Sequence, residues 1–359
     1  MMYPALALAA LPLLVTGANT PPNPHDNNKA CTCYRVPSGP DTAYFSYHRF
    51  YDFRSLRPTH DLSNPFEPPP RVTENQRSGK EKSRDDAFFN SGRMAEDWGV
   101  MDWGKKREED APLRVQNSPL NVYISYPRNA SEPSALTLRT TRQPLYQSTA
   151  ELETTLHTMQ HISLRVSARV TGSPGAVAGL FTYASGTSES DIEILTRDDP
   201  SKIRYTNQPA VDKKGDDIPA ASRAVAGQAP WDEWRVHRLD WLPGKSRWYL
   251  DGDKVAESTY GVPKEPSYVV LNMWGDGGEW SGEMDVGGEA ELQVRWMEMV
   301  FNVSGKGETG NCKVGCVIDG VKELGTPEVV FKGGAELGRG GVGWTFLAGM
   351  VGMVVVWVL

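Results

Sequence analysis

Three acidic residues alternate with other residues in the stretch 188–195, which reads SESDIEIL. Successive side chains of a strand point to opposite faces, so Glu189, Asp191 and Glu193 are expected to share one face. A retaining glycosidase needs such a set, because one ionised carboxylate acts as nucleophile and a second carboxyl, protonated near neutral pH, acts as acid/base. Crowding acidic groups raises the pKa of at least one of them, which suits the acid role.

The spacing alone leaves a second interpretation open. An edge strand can carry a row of carboxylates simply as protection against aggregation. Side chains at positions i and i+4 of a flat strand also start from Cα atoms ~13 Å apart, whereas the two carboxyls of a retaining enzyme lie about 5 Å apart. A catalytic pair therefore requires a twisted, concave sheet.

Two other patterns do not predict a cofactor or metal site. Residues 305–310, GKGETG, fit the spacing of a dinucleotide-binding loop, but no helix follows them. His157 and His161 have the spacing of metal ligands on a helix, yet they precede a β-branched stretch and lack the glutamate of a metalloprotease motif. We therefore expect no cofactor and no metal.

Short strand-like stretches separated by turn residues surround the acidic motif, and no long segment has helical periodicity. We predict an all-β fold, an antiparallel β-sandwich, with Trp241 and Trp248 in its core. Residues 55–95, rich in Pro, Asn, Ser and mixed charge, are predicted to form a long loop or insertion. The predicted strands are 44–53, 120–126, 135–140, 162–170, 177–183, 191–196, 234–241, 247–250, 267–273 and 290–301.

Three further blocks match a known family in the same order as the acidic motif. They are GAVAGLFTY at 175–183, the stretch from HRLDW at 237–241 to WYLDG at 248–252, and LNMWGDGGEWSG at 271–282. With the motif at 189–193, the chain resembles glycoside hydrolase family 16, whose members are concanavalin A-like jelly rolls. The resemblance covers about residues 145–302.

The resemblance implies a role for each matching residue. Glu189 would be the nucleophile, Glu193 the acid/base, and Asp191 would bond to Glu189 and tune it. The substrate would be a β-linked polysaccharide of the glucan type, cleaved or transferred at internal bonds with net retention. The sugar-binding residues implied by the family are Trp274 and Trp280, which would stack on sugar rings, and Tyr205, Asn207 and Gln208, which would line the neighbouring subsites.

The two ends of the sequence predict an extracytoplasmic location. Residues 1–18 have the apolar run and small residues of a secretory signal peptide. Residues 336–359 combine a polar spacer with an uncharged apolar tail, as in a glycolipid (GPI) attachment signal, with a membrane helix as the alternative. A chain with such ends and this fold resembles fungal wall-remodelling enzymes, at the outer face of the plasma membrane or in the cell wall.

The rest of the chain is predicted to comprise a disordered segment at 19–43, the jelly-roll domain at 44–305 and a cysteine-containing tail at 306–335.

The four cysteines form two pairs, Cys31 with Cys33 and Cys312 with Cys316. A bridge within Cys-x-Cys would be strained, so we predict bridges between the two pairs, with a local Cys312–Cys316 bridge as the alternative. Two Asn-x-Ser triplets, which start at Asn129 and Asn302, are candidate glycosylation sites.

Charge and composition limit the possible partners. The formal net charge is −7, and the chain has no basic block, which argues against nucleic acid. We expect a monomer.

A carbohydrate-binding jelly roll without catalysis is the main alternative function, followed by a surface adhesion protein. The choice between hydrolysis and transglycosylation stays open, because it depends on whether water or a sugar hydroxyl attacks the intermediate.

Overall fold

The computed structural model describes residues 30–58, 64–76, 79–129, 131–305 and 312–333, and strands dominate these residues. Helical elements are short: α1 (Asp86–Phe89), α2 (Gly92–Asp97) and the 3-10 turns Glu74–Gln76 and Pro119–Asn121. The strands are β1 (Cys33–Ser38), β2 (Asp41–Phe45), β3 (Tyr47–Asp52), β4 (Trp98–Val100), β5 (Gly104–Lys105), β6 (Arg114–Asn117), β7 (Val122–Ser125), β8 (Ala135–Arg142), β9 (Tyr146–Thr154), β10 (Met159–Gly172), β11 (Val177–Ser185), β12 (Ser188–Leu195), β13 (Ile203–Asn207), β14 (Ser222–Val225), β15 (Arg235–Leu242), β16 (Lys245–Leu250), β17 (Asp253–Ser258), β18 (Tyr268–Trp274), β19 (Glu289–Val303), β20 (Val314–Val317) and β21 (Glu328–Lys332).

Two antiparallel layers form the main body. The support sheet has the order β17, β16, β15, β10, β19, after which β3 and β8 each pair with one half of β19, and β7 pairs with β8. The site sheet has the order β14, β13, β12, β11, β18, β9, β4. Strand β9 joins the two layers, because its first half pairs with β6 and β8 and its second half with β18. The predicted all-β, antiparallel jelly-roll fold is confirmed.

The core between the sheets is built from the alternate residues that each strand turns inward. Trp241 and Trp248 of the support sheet are fully buried, as predicted, and the Trp248 ring lies 5.9 Å from that of Tyr205 on the site sheet. Ile192 and Leu271 enter the same core from β12 and β18. Inward apolar packing therefore leaves the other face of the site sheet free for polar groups.

A small separate sheet brings the two ends of the described chain together. Its order is β2, β1, β20, β21, with β1 parallel to β20. Two disulfides cross it, Cys31–Cys316 and Cys33–Cys312, with Cα atoms 5.8 and 5.3 Å apart. The predicted bridges between the two cysteine pairs are confirmed, and the local alternative is wrong.

The predicted disorder at 19–43 does not hold for its described part, since β1 and β2 are ordered strands. Their apolar side chains have a core of their own, in which Tyr34, Val36 and Phe45 pack with Val300 and Ile318. The sequence gives little sign of this, because the partners lie more than 250 residues away.

The predicted insertion at 55–95 contains α1 and the start of α2, and it covers the edge of β7. Asp85 accepts a hydrogen bond from the Ile124 amide at 2.8 Å and another from the Tyr126 hydroxyl at 3.0 Å. The Ser83 hydroxyl donates to the Val122 carbonyl. These side chains satisfy backbone groups that an edge strand would otherwise leave open to a second chain.

The predicted strand 44–53 is interrupted at Ser46, whose amide donates to the side-chain oxygen of Asn302 at 2.9 Å. The Asn302 side-chain nitrogen donates to the Tyr44 carbonyl at 3.1 Å, and the residue is only 7% exposed. This arrangement opposes the predicted glycosylation at Asn302, since the nitrogen that would carry the glycan is enclosed. Asn129 is exposed and remains a candidate.

The predicted signal peptide at 1–18 and the predicted anchor segment at 336–359 lie outside the described residues. Within the described ranges, no helix has the length and apolar character needed to cross a bilayer.

Candidate active site

Strand β12 carries the acidic motif, and its alternation is that of a strand between a core and an open face. Ser190, Ile192 and Ile194 turn inward and are 0%, 2% and 1% exposed. Glu189, Asp191 and Glu193 therefore point to the opposite surface, which we call the site face. β12 lies inside its sheet, paired with β11 on one side and β13 on the other. The carboxylates are thus not those of a protected edge strand.

Strand pairing fixes the neighbours of each carboxyl. On β11, Glu189 lies opposite Tyr183 and Glu193 lies opposite Gly179. On β13, Glu193 lies opposite Arg204. Gly179 leaves room for the Asn272 side chain on this face, because a Cβ there would lie 2.6 Å from the Asn272 side-chain oxygen.

The site face continues across β18 and β9. Of the residues on these two strands, the sequence predicted a functional role for Trp274 alone. Asn272 on β18 lies opposite Gly179 on β11 and Glu151 on β9, and its amide donates to Glu151 at 3.3 Å. Burial, reinforced by the neighbouring Glu153, raises the pKa of Glu151 to about 8. A hollow of about 170 Å³ lies beside this pair, and its lining includes Trp103, Glu151, Asn272 and Trp274.

All three carboxyls of β12 hold protons more tightly than usual. Burial raises the pKa of Glu193 to about 7, against the opposing effects of a hydrogen bond from Trp280 and the nearby Arg204 guanidinium. Burial also raises the pKa of Glu189 to about 7, while its interaction with Asp191 works in the other direction. At neutral pH the site can therefore both donate and accept a proton, as general acid/base chemistry requires.

Asp191 is the most deeply enclosed of the three, at 2% exposure. Burial and the charges of Glu189 and Glu193 hold the pKa of Asp191 well above its usual range. One of its oxygens accepts a hydrogen bond from the Gln208 side chain at 3.3 Å, and the other is buried with no partner among the described residues. A neutral carboxyl tolerates such enclosure better than an ionised one, so burial and the two neighbouring negative charges favour the protonated form of Asp191.

Two of the predicted sugar-binding residues, Tyr205 and Asn207, lie on the wrong face of the sheet. They are 1% and 0% exposed, and they lie opposite Ile192 and Ser190, which both face the core. The Asn207 side chain donates to the Tyr260 carbonyl at 2.8 Å and accepts from the Ser190 hydroxyl at 2.6 Å. These contacts leave Asn207 no access to a sugar on the site face.

The other three predicted sugar-binding residues do lie near the carboxyls or on their face. Gln208 bonds to Asp191, as described above. Trp274 lies opposite Val177 at the end of β18, on the same face as Asn272. Trp280, 40% exposed, donates from its indole nitrogen to Glu193 at 3.1 Å.

Comparison with known proteins matches the region that carries this site. The family model described as Glycosyl hydrolases family 16 matches residues 117–298. The β-glucanase of Paenibacillus macerans is 29% identical over 147 residues, covering 38% of this chain and 58% of that protein. The β-glucanase of Bacillus subtilis (strain 168) is 30% identical over 118 residues, covering 30% of this chain and 45% of that protein.

Among solved structures, the Bacillus licheniformis β-glucanase overlays with a TM-score of 0.47 at 19% sequence identity, covering 59% of this chain and 95% of that chain. The chain spans about half the length of the curated relatives it matches.

Proposed function

The chain belongs to glycosyl hydrolases family 16, and from this premise we propose that it is an endo-acting enzyme that cleaves or transfers internal bonds of β-glucan with net retention. One observation carries the proposal. Glu189, Asp191 and Glu193 share the site face of an interior strand, and each has a raised pKa there. A solvated row of structural carboxylates would not need burial of this degree.

The proposed reaction has two displacements. In the first, Glu189 attacks the anomeric carbon while the glycosidic bond breaks and Glu193 protonates the leaving oxygen. In the second, Glu193 removes a proton from water or a sugar hydroxyl, whose oxygen attacks the same carbon and releases Glu189. Two inversions at one carbon give net retention.

Asp191 serves this cycle without touching the substrate. As a neutral carboxyl on the same face as Glu189, it favours the ionised form of the nucleophile, because its interaction with Glu189 lowers the pKa of that carboxyl. Gln208 supports Asp191 from the other side through its side-chain amide. Asp191 is therefore a positioning residue.

Both the site and the matched relatives support a neutral glucan as substrate. The relatives matched on this region include proteins named β-glucanase. Trp103 and Trp274 offer aromatic surface, and Asn272 and Glu151 offer hydrogen-bonding groups around the hollow described above. Aromatic faces and polar side chains are the groups that bind sugar rings and their hydroxyls.

We also propose that the protein acts outside the cytoplasm, as a fungal-type secreted member of the family. The two disulfides support an oxidising compartment. The signal-peptide pattern at 1–18 and the GPI-type pattern at 336–359 support secretion and attachment to the membrane or cell wall.

Product analysis tests the activity. Purified wild-type protein and Glu189→Gln are incubated with reducing-end-labelled β-1,3-, mixed-linkage and chitin-derived oligosaccharides. We expect shorter or transferred products from at least one glucan with the wild type, and a loss of turnover by orders of magnitude with the variant. Tight glucan binding by the wild type without any product would support a non-catalytic carbohydrate-binding module instead.

A further inference from the structure

Trp280 holds a fixed position beside Glu193. It lies in the loop that follows β18, and this loop is tied by the Ser281 hydroxyl, which donates to Asp276 at 2.8 Å. The Gly282 amide also donates to the Gly278 carbonyl at 2.9 Å. The indole nitrogen of Trp280 reaches Glu193 from this loop, at 3.1 Å from the carboxyl oxygen Oε1.

The ring of Trp280 also has a partner. The Arg204 guanidinium carbon lies 4.9 Å from the ring centre, within the range of a cation–π contact. Arg204 is itself held by Asp198, to which it donates at 2.7 Å. Since Arg204 lies directly opposite Glu193 on β13, the indole is fixed between the carboxyl and the guanidinium.

We propose that Trp280 is a positioning residue for Glu193, rather than only a surface on which a sugar ring stacks. Its N–H fixes one carboxyl oxygen, and Arg204 and the loop fix the indole. This inference rests on the proposed function, in which Glu193 is the acid/base.

The chemistry of the indole gives this contact a direction. Its nitrogen is a donor only, so it bonds more strongly to an ionised carboxylate than to a neutral carboxyl. The contact therefore lowers the pKa of Glu193, against the burial that raises it. An acid/base gives its proton away in the first step and takes one in the second. Neither the protonated nor the ionised form of Glu193 can therefore be strongly favoured.

Trp280→Phe separates the two roles, because phenylalanine keeps an aromatic face and removes the N–H. The dependence of kcat/KM on pH is measured with the glucan oligosaccharide that the wild type cleaves best. We expect the alkaline limb to move upward by about one pH unit, the effect of one hydrogen bond to a charged group. KM should change by less than about threefold, because the aromatic face remains.

Trp274→Phe is the matched control, since no hydrogen bond from Trp274 to a β12 carboxyl is found among the described residues, and its alkaline limb should coincide with that of the wild type. An unmoved limb in Trp280→Phe would overturn the proposal. So would an equal shift in both variants.

A second measurement separates failure of this inference from failure of the proposed function. The Glu193 carboxyl is titrated by NMR in carbon-13-labelled protein, which requires no turnover. A higher midpoint in Trp280→Phe than in the wild type supports the contact even if no glucan is cleaved, and an equal midpoint overturns it.

Discussion

Glu193 lies directly opposite Gly179 on the neighbouring strand, and a side chain at Gly179 would meet Asn272. The nearest approach of an added Cβ is 2.6 Å to the Asn272 side-chain oxygen, closer than two such atoms can lie. Asn272 in turn holds Glu151. The absence of a side chain at Gly179 thus gives Asn272 the space from which it bonds to Glu151 on β9.

Gly179→Ala should therefore damage the site more than the fold. The added methyl displaces Asn272 and weakens its bond to Glu151, so we expect lower kcat/KM and a loss of about 1–3 kcal/mol in the free energy of unfolding. Gly186→Ala is the matched control, because a Cβ at Gly186 meets nothing within 4 Å. Steady-state kinetics and denaturant unfolding measure both effects. Equal activity in the two variants would contradict the assigned packing.

Glu151→Gln should change stability with a defined pH dependence. The pKa of Glu151 is about 8 in the folded protein, against an ordinary value of 4.5, so the folded state binds more protons between these values. The stability that this provides is present below pH 4.5 and is lost as the pH rises through 8. Glutamine does not titrate. The free energy of unfolding of the variant, relative to that of the wild type, should therefore rise across this window by on the order of a few kcal/mol.

Urea unfolding at several pH values tests this prediction. Glu279→Gln is the control, because Glu279 is exposed, and its stability curve should run parallel to that of the wild type. If the curve of Glu151→Gln also runs parallel, Glu151 is not a buried, proton-binding group.

His237 predicts a pH dependence of opposite sign. It is buried, and neither ring nitrogen has a hydrogen-bond partner among the described residues. Burial lowers the pKa of His237 from 6.5 to about 4, so its contribution to stability is present above pH 6.5 and is lost as the pH falls towards 4. This loss is roughly 3 kcal/mol at most.

His237→Leu should remove that dependence. The free energy of unfolding of the variant, relative to that of the wild type, should therefore rise as the pH falls from 6.5 to 4. The exposed His157 provides the control substitution, His157→Leu. Thermal or urea unfolding in this window is the measurement. A constant difference between His237→Leu and the wild type would show that His237 is accessible to protons in the folded state.

Strand β12 and the face that its three acids share could be predicted, because the local sequence contains the needed alternation. Alternation in β12 separates Ile192 and Ile194 from the three acids, and the acids have one spacing that the family shares. The prediction that Tyr205 and Asn207 bind sugar was wrong, because it was taken from the family resemblance without knowledge of how β12 and β13 pair. Their inward orientation depends on pairing with Ile192 and Ser190 across a connection that the sequence does not specify.

Strand β9 shows why part of the site could not be predicted. Its sequence, YQSTAELET, is mostly polar, yet nearly all of it is buried, because its polar groups find partners on other segments. Thr149, for example, donates to Asn117 at 2.7 Å. Hydrophobic alternation cannot detect such a strand. Glu151 is therefore recognised only once the pairing with Asn272, 121 residues away, is known.

The central claim is that Glu189 is the nucleophile and Glu193 the acid/base, and the stereochemistry of azide rescue tests it most directly. Each residue is replaced by alanine, and the glycosyl azide formed from an activated β-aryl glucoside oligosaccharide is examined by proton NMR. We expect the α-azide from Glu189→Ala, because azide then attacks directly from the side that the carboxylate occupied. We expect the β-azide from Glu193→Ala, because the glycosyl-enzyme still forms on Glu189 and azide displaces it. The opposite pair of configurations, or near wild-type turnover in Glu189→Ala without azide, would contradict the account.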